Sequence, residues 1–158
     1  MASGKRKRYP FSAEKVRIKK LRQEAAVPVY ATEYSAGADL CAAVLEPFTV
    51  GPHETAKVPT GLSFEIPEGL AGLVFARSGL ASKRGLAPAN KVGVIDSDYR
   101  GEVFVTLHNH GTEPQEILPG ERIAQIAFVP YIKAEFEVAD DLTDTVRGDG
   151  GFGSTGRV

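Results

Sequence analysis

Apolar and polar residues alternate along this chain in short stretches, with glycine and proline interrupting them. Over Glu102–His108, Val103, Val105 and Leu107 share one face of an extended segment. Lys133–Val138 puts its two glutamates on one face and Ala134, Phe136 and Val138 on the other. Further strand-like runs are Lys15–Leu21, Leu62–Ile66, Leu70–Ala76, Gln115–Leu118 and Ile123–Pro130. Short strands punctuated at intervals of about 8–12 residues predict an all-β sandwich or barrel. Pro59, Pro67, Pro88, Pro114, Pro119 and Pro130 would each break a long helix. One short helix is predicted at Ser78–Lys83, between Arg77 and Gly85. There is no internal repeat.

Composition narrows the class. The chain has 158 residues, of which 42% are hydrophobic and 25% charged, enough for one domain with its own core. No apolar run reaches the roughly 20 residues of a membrane span, and no apolar stretch in the first 22 residues suggests a secretory leader. The single cysteine, Cys41, excludes an intramolecular disulfide framework and a cysteine-rich zinc site. It suits a reducing compartment and reads as a small apolar filler.

The net charge of −1 hides an asymmetry. Residues 1–22 carry nine Lys/Arg and one acid, and the remainder carries ten Lys/Arg and nineteen acids. An acidic body is a poor general nucleic-acid binder, because phosphate contacts need clustered cations. An anion must therefore bind at a local site. Residues 1–12 read as a flexible basic arm, 13–140 as the β domain and 141–158 as a glycine-rich flap.

Five segments combine turn glycines with polar residues. In Ser35–Leu40, Asp39 is either a turn residue or an acid aimed into a site. In Ala76–Ala81, a strand runs into Arg77-Ser78-Gly79, where guanidinium, hydroxyl and amides could gather an anion; the alternative is a capped helix beside a surface arginine. Asn90–Gly101 reads as a hairpin whose open edge could pair with a planar base, or as an aspartate-rich turn. In Pro119–Ile126, Arg122 and Gln125 lie three apart, so on a regular strand they face opposite sides. The last, Arg147–Gly156, is too glycine-rich to fold alone. It is either a disordered tail or a flap offering amides, hydroxyls and the ring of Phe152. His108 and His110 share a strand face without a third ligand and make a weak metal site.

Together, Ala36–Leu40, Arg77–Ala81, Gly93–Gly101, Gly120–Gln125 and Arg147–Gly156 resemble, in order and spacing, the five motifs of the trimeric dUTP pyrophosphatase (dUTPase) family. The resemblance covers about Val16 to Arg157. Glu121 and Ala76 depart from the usual Asp and Pro, and the basic arm lies outside the family core. The resemblance implies a distorted jelly-roll or β-clip barrel, a homotrimer with each C-terminal arm exchanged over a neighbouring site, and Mg²⁺-assisted hydrolysis of dUTP to dUMP and diphosphate. It implies Asp96 as the base that activates water. Tyr99 would pack under the deoxyribose, and Asn90, Gly93, Val94, Ile95 and Phe104 would form the uracil slot. Arg77, Ser78, Gly79 and Gln125 would hold phosphates, and Arg147, Phe152, Gly153, Ser154 and Thr155 would close the flap. Asp39 and Gln125 would reach the metal through water, and Asp39 and Arg122 would brace the site.

No membrane partner is implied, nor nucleic acid for the core. A cytoplasmic location is expected, or a nuclear one if Lys5-Arg6-Lys7-Arg8 is an import signal. Two rivals stand beside this reading. A dCTP deaminase on the same fold would need an added acid at the base, and none is evident. A nucleotide-responsive partner-binding regulator would need a docking insertion, and the motif spacing is compact.

Overall fold

The computed structural model describes residues 14–151. Among them the chain forms β1 (Arg17–Lys20), β2 (Val29–Tyr30), β3 (Ala38–Cys41), β4 (Phe48–Val50), β5 (Thr55–Pro59), β6 (Leu62–Glu65) and β7 (Leu70–Phe75). After α1 (Ser78–Arg84) come β8 (Leu86–Pro88), β9 (Gly93–Ile95), β10 (Phe104–Asn109), β11 (Gln115–Ile117) and β12 (Arg122–Pro130). These build a five-stranded sheet in the order β2-β3-β12-β7-β9, a three-stranded sheet β5-β10-β8, and the pairs β1-β6 and β11-β4. The all-β expectation holds. The sheets make a jelly-roll-like arrangement without a closed barrel.

One core unites them. Leu40, Val58, Leu62, Leu86, Leu107, Ile117, Ile123 and Ile126 are all fully buried and come from all four sheets. Each such side chain contributes about 1.5–3 kcal/mol by leaving water. The alternation in β10 is realised: Val105, Leu107 and Asn109 point inward while Phe104, Thr106 and His108 are half-buried. Buried Asn109 donates to the carbonyls of Val50 and Glu113 and accepts from the Gly111 amide, so it is satisfied.

Two sequence expectations are corrected. Asn90–Gly101 is not a hairpin: β9 pairs with β7, whereas β10 pairs with β5 and β8 in another sheet. The polar turn after β9 carries the chain between sheets. Its arginine braces it, with Arg100 Nη1 donating to the Ser97 carbonyl at 2.6 Å. Ser63 Oγ fastens it to β6 by donating to the Arg100 carbonyl at 2.6 Å. The alternating segment Lys133–Val138 is not a strand and pairs with none of the described strands. Its apolar face stands in water, with Phe136 94% and Val138 99% exposed.

Candidate active site

The first part of the site lies where β3, β7 and β12 meet α1. Asp39 on β3 stands opposite Gln125 on β12, and Cys41 opposite Arg122. Two residues on β3 therefore span three on β12, which is a bulge at Ile123. Directly paired residues share a face, so the bulge returns Arg122 and Gln125 to the same side. The expectation that they face opposite ways fails for this reason.

Asp39 is held by both arginines. Arg77 Nε donates to Oδ1 at 2.7 Å and Arg122 Nη1 to Oδ2 at 3.2 Å. The carboxylate is only 15% exposed, so these charge-assisted bonds fix the guanidinium of Arg77 firmly. Gln125 Nε2 donates to the Ala76 carbonyl at 2.9 Å, and its Oε1 lies over Gly37, where a Cβ would come within 2.6 Å. Ser78 and Gly79 follow Arg77 at the start of α1. The resulting cleft, about 480 Å³, is lined by Ser35, Gly37, Asp39, Arg77, Ser78, Gly79, Lys83 and Gln125. Burial, and next the Asp39 carboxylate, push the neighbouring Cys41 thiol up, which disfavours the nucleophilic thiolate.

The second part is a narrow slot of about 110 Å³ between β9 and β10. Asn90, Gly93, Val94, Ile95 and Phe104 line it together with Val74, Pro88 and Thr106. Gly93 keeps it open, since a Cβ there would lie 3.2 Å from Val74 Cβ and 3.4 Å from Asn90 Nδ2. β9 is the outermost strand of its sheet, so its free edge offers backbone donors and acceptors. The Lys57 ammonium sits 4.1 Å from the Phe104 ring centroid and holds that wall by a cation–π contact.

The third part is the turn after β9. Asp96 is exposed and faces a broad hollow of about 950 Å³ that also holds Asp98, Arg100 and Lys133. The Tyr99 hydroxyl donates to the Glu102 carbonyl at 2.9 Å. Its ring lies across Gly101, where any Cβ would overlap it. That leaves the other side of a 43%-exposed ring free to receive a ligand.

On one chain these three parts do not merge. Arg77, Ser78, Gly79, Asp39 and Gln125 come together, as do Asn90, Gly93, Val94, Ile95 and Phe104. Asp96 lines neither group. Arg147 is held in its own turn, donating to the Gly150 carbonyl at 2.7 Å. Phe152, Gly153, Ser154 and Thr155 lie outside the described residues. Sequence reasoning missed Lys83, whose only signal was its spacing of four from Gly79 on the predicted helix. It also missed the role of Glu121, which binds Arg84 and accepts from the Leu118 amide at 3.0 Å, locking the turn before β12 to α1.

A divalent cation suits this donor set only as a guest of its ligand. Both Asp39 oxygens are taken by guanidinium groups, and the described residues contain no group of three metal-binding side chains. Mg²⁺ commonly keeps several waters and binds mainly through substrate phosphates, and such an ion needs no protein cage.

A jelly-roll-like β fold that carries an arginine-lined anion cleft and, apart from it, a narrow slot at a free strand edge has the parts of a nucleotide-binding protein. Its kind is given by comparison. The dUTPase family matches over residues 23–156, and the chain belongs to that family. It is 53% identical over 145 residues to the deoxyuridine 5'-triphosphate nucleotidohydrolase of Desulfitobacterium hafniense, covering 90% of this chain and 96% of that one. It is 50% identical over 143 residues to the enzyme of the same name from Hahella chejuensis, covering 90% and 94%. Among solved structures, Staphylococcus bacteriophage 80alpha dUTPase with dUpNHpp superposes with a TM-score of 0.83 at 28% identity, covering 91% of this chain and 99% of that one. A variant of the dUTPase from phage phi11 of S. aureus, described with a structural Mg(II) ion, gives 0.73 at 25% identity, covering 81% and 98%.

Proposed function

We propose that the chain hydrolyses dUTP to dUMP and diphosphate as a homotrimer. The observation that carries this reading is the pairing of an Asp39-braced Arg77 cleft with a base-sized slot at the edge of β9, in a chain half identical to named dUTP nucleotidohydrolases. Phosphoryl chemistry needs positioning and charge neutralisation more than a covalent nucleophile. Arg77, the Ser78 hydroxyl, the Gly79 amide and Gln125 hold the phosphates. Mg²⁺ carried on the triphosphate, reached through water by Asp39 or Gln125, neutralises charge that the protein leaves uncovered.

Asp96 orients a water and takes its proton. Tyr99 packs flat against the deoxyribose, leaving no volume for a 2′-hydroxyl. The β9 edge and Asn90 read the polar edge of uracil. Cytosine would leave buried donors and acceptors unpaired, and the 5-methyl of thymine would overlap the wall of a small slot.

The trimer supplies what one chain lacks. Asp96 and the phosphate cleft open apart on a single chain, and sites built between subunits would bring them together. The tail of Arg147, Phe152, Gly153, Ser154 and Thr155 closes over a neighbour's nucleotide and excludes water. No described helix is long and apolar enough to cross a membrane. We place the work in the cytoplasm, or in the nucleus where Lys5–Arg8 acts as an import signal.

The test is product analysis on dUTP, dCTP, dTTP and UTP side by side, with Mg²⁺ and with chelator. Diphosphate release from dUTP alone, lost on chelation, is expected. Ammonia from dCTP would replace this reading with a deaminase.

A further inference from the structure

Two cations occupy the last turn of α1, Lys83 and Arg84, and the structure treats them differently. Arg84 is fully engaged: it binds Glu121, the Glu116 carbonyl and, at 3.0 Å, Gln115 Oε1. The Lys83 side chain makes no ion pair or hydrogen bond with any described residue, yet it lines the cleft that holds Arg77, Ser78, Gly79 and Gln125. Helical geometry explains its reach. Lys83 lies one turn after Gly79 on the same face, and a helical side chain leans toward the N-terminus of its helix. Gly79 puts nothing in the way, and a Cβ built there would meet no atom within 4 Å.

The charge of the cleft makes this position consequential. Arg77 and Arg122 share the single carboxylate of Asp39, so that cluster keeps one positive charge, and Lys83, in the lining itself, adds another that no acid pairs. We propose that Lys83 is a phosphate-contacting residue, its ammonium reaching the triphosphate from the α1 side of the cleft. This rests on the dUTP reading above. An ammonium on a flexible four-carbon stem suits a charge that shifts as diphosphate leaves, because it follows a point charge without demanding a fixed fork. A purely structural Lys83 would instead interact with the C-terminal carbonyls of α1, which stabilises the helix and leaves ligand affinity untouched.

The experiment compares wild type, Lys83→Met and Lys83→Arg by dUTP kinetics, calorimetric binding of tripolyphosphate and of deoxyuridine, and thermal melting. Loss of a charge-assisted contact should raise KM for dUTP and weaken tripolyphosphate binding by about tenfold in Lys83→Met. Lys83→Arg should restore most of both, and deoxyuridine affinity and melting temperature should stay at wild-type values. Tripolyphosphate affinity unchanged in Lys83→Met overturns the proposal, as does a loss accompanied by an equal loss for deoxyuridine. Failure of the wild type to hydrolyse dUTP would sink the functional reading separately, since tripolyphosphate binding is measured without turnover.

Discussion

Asp96 stands exposed just past β9, and its carboxylate has no hydrogen-bond partner among the described residues. An amide in its place still holds a water but takes no proton. Asp96→Asn should bind dUTP as wild type does and lose turnover by roughly 10²–10⁴-fold; near-normal turnover would move the base elsewhere. Tyr99 is constrained twice, by its hydroxyl on the Glu102 carbonyl and its ring on Gly101, so a ligand meets a preset surface. Forcing a 2′-hydroxyl against that ring strands an unpaired polar group, at a cost of about 1–3 kcal/mol before any overlap. Tyr99→Ala should raise kcat/KM for UTP relative to dUTP and weaken dUTP binding. An unchanged ratio removes Tyr99 from sugar selection. At this scale the sequence could name residues but not their bonds. Asp39 read equally as a turn residue or a site acid, because its two partners lie 38 and 83 positions away along the chain.

Strand pairing decided what the element-scale reading could reach. β10 was legible because alternation is local. The bulge at Ile123 was not, since only the register against β3 reveals an extra residue. The same holds for β9, whose partner β7 precedes it by a helix and a further strand. Glu102, just before β10, shows how elements are tied by charge. It accepts from Arg22 Nε at 2.9 Å and Nη2 at 3.2 Å, and from the Gly61 amide at 2.9 Å. The Arg22 hydrogen bonds chiefly, with help from Gly61 and against the opposing effect of burial, hold its carboxyl below the usual carboxylate range. A carboxyl depressed by folding stabilises the native state above its ordinary pKa, and that contribution fades as pH falls through the ordinary value toward the folded one. Glu102→Gln should therefore melt below wild type at pH 7, with the gap narrowing as the solution is acidified below about pH 4. A gap independent of pH would show that packing, not charge, is lost.

On the scale of the whole molecule the separation of Asp96 from the phosphate cleft makes a prediction about mixtures. A chain truncated after Asp144 should fold and assemble but turn over poorly, because none of the described residues it removes belongs to the buried core. Co-refolding it with Asp96→Asn chains should recover activity, since some interfaces then combine an intact Asp96 with an intact tail. No recovery despite mixing proven by mass would mean that each site is built from one chain. The family motifs made the family legible from the sequence and supplied the expectation of shared sites, whereas hydrophobic periodicity alone gave no more than an all-β sandwich or barrel.

The segment after β12 has a consequence in time. Ile132, Phe136, Val138 and Leu142 are 88–99% exposed on a chain taken by itself, a ribbon of oily side chains with nowhere of its own to dock. In the proposed trimer, newly refolded chains would have to find one another before that ribbon is covered, and encounter is slower than folding when chains are dilute. Activity after dilution from denaturant should therefore begin with a lag that shortens as protein concentration rises. A lag of constant length across a tenfold range of concentration would mean that the ribbon settles on the chain that carries it.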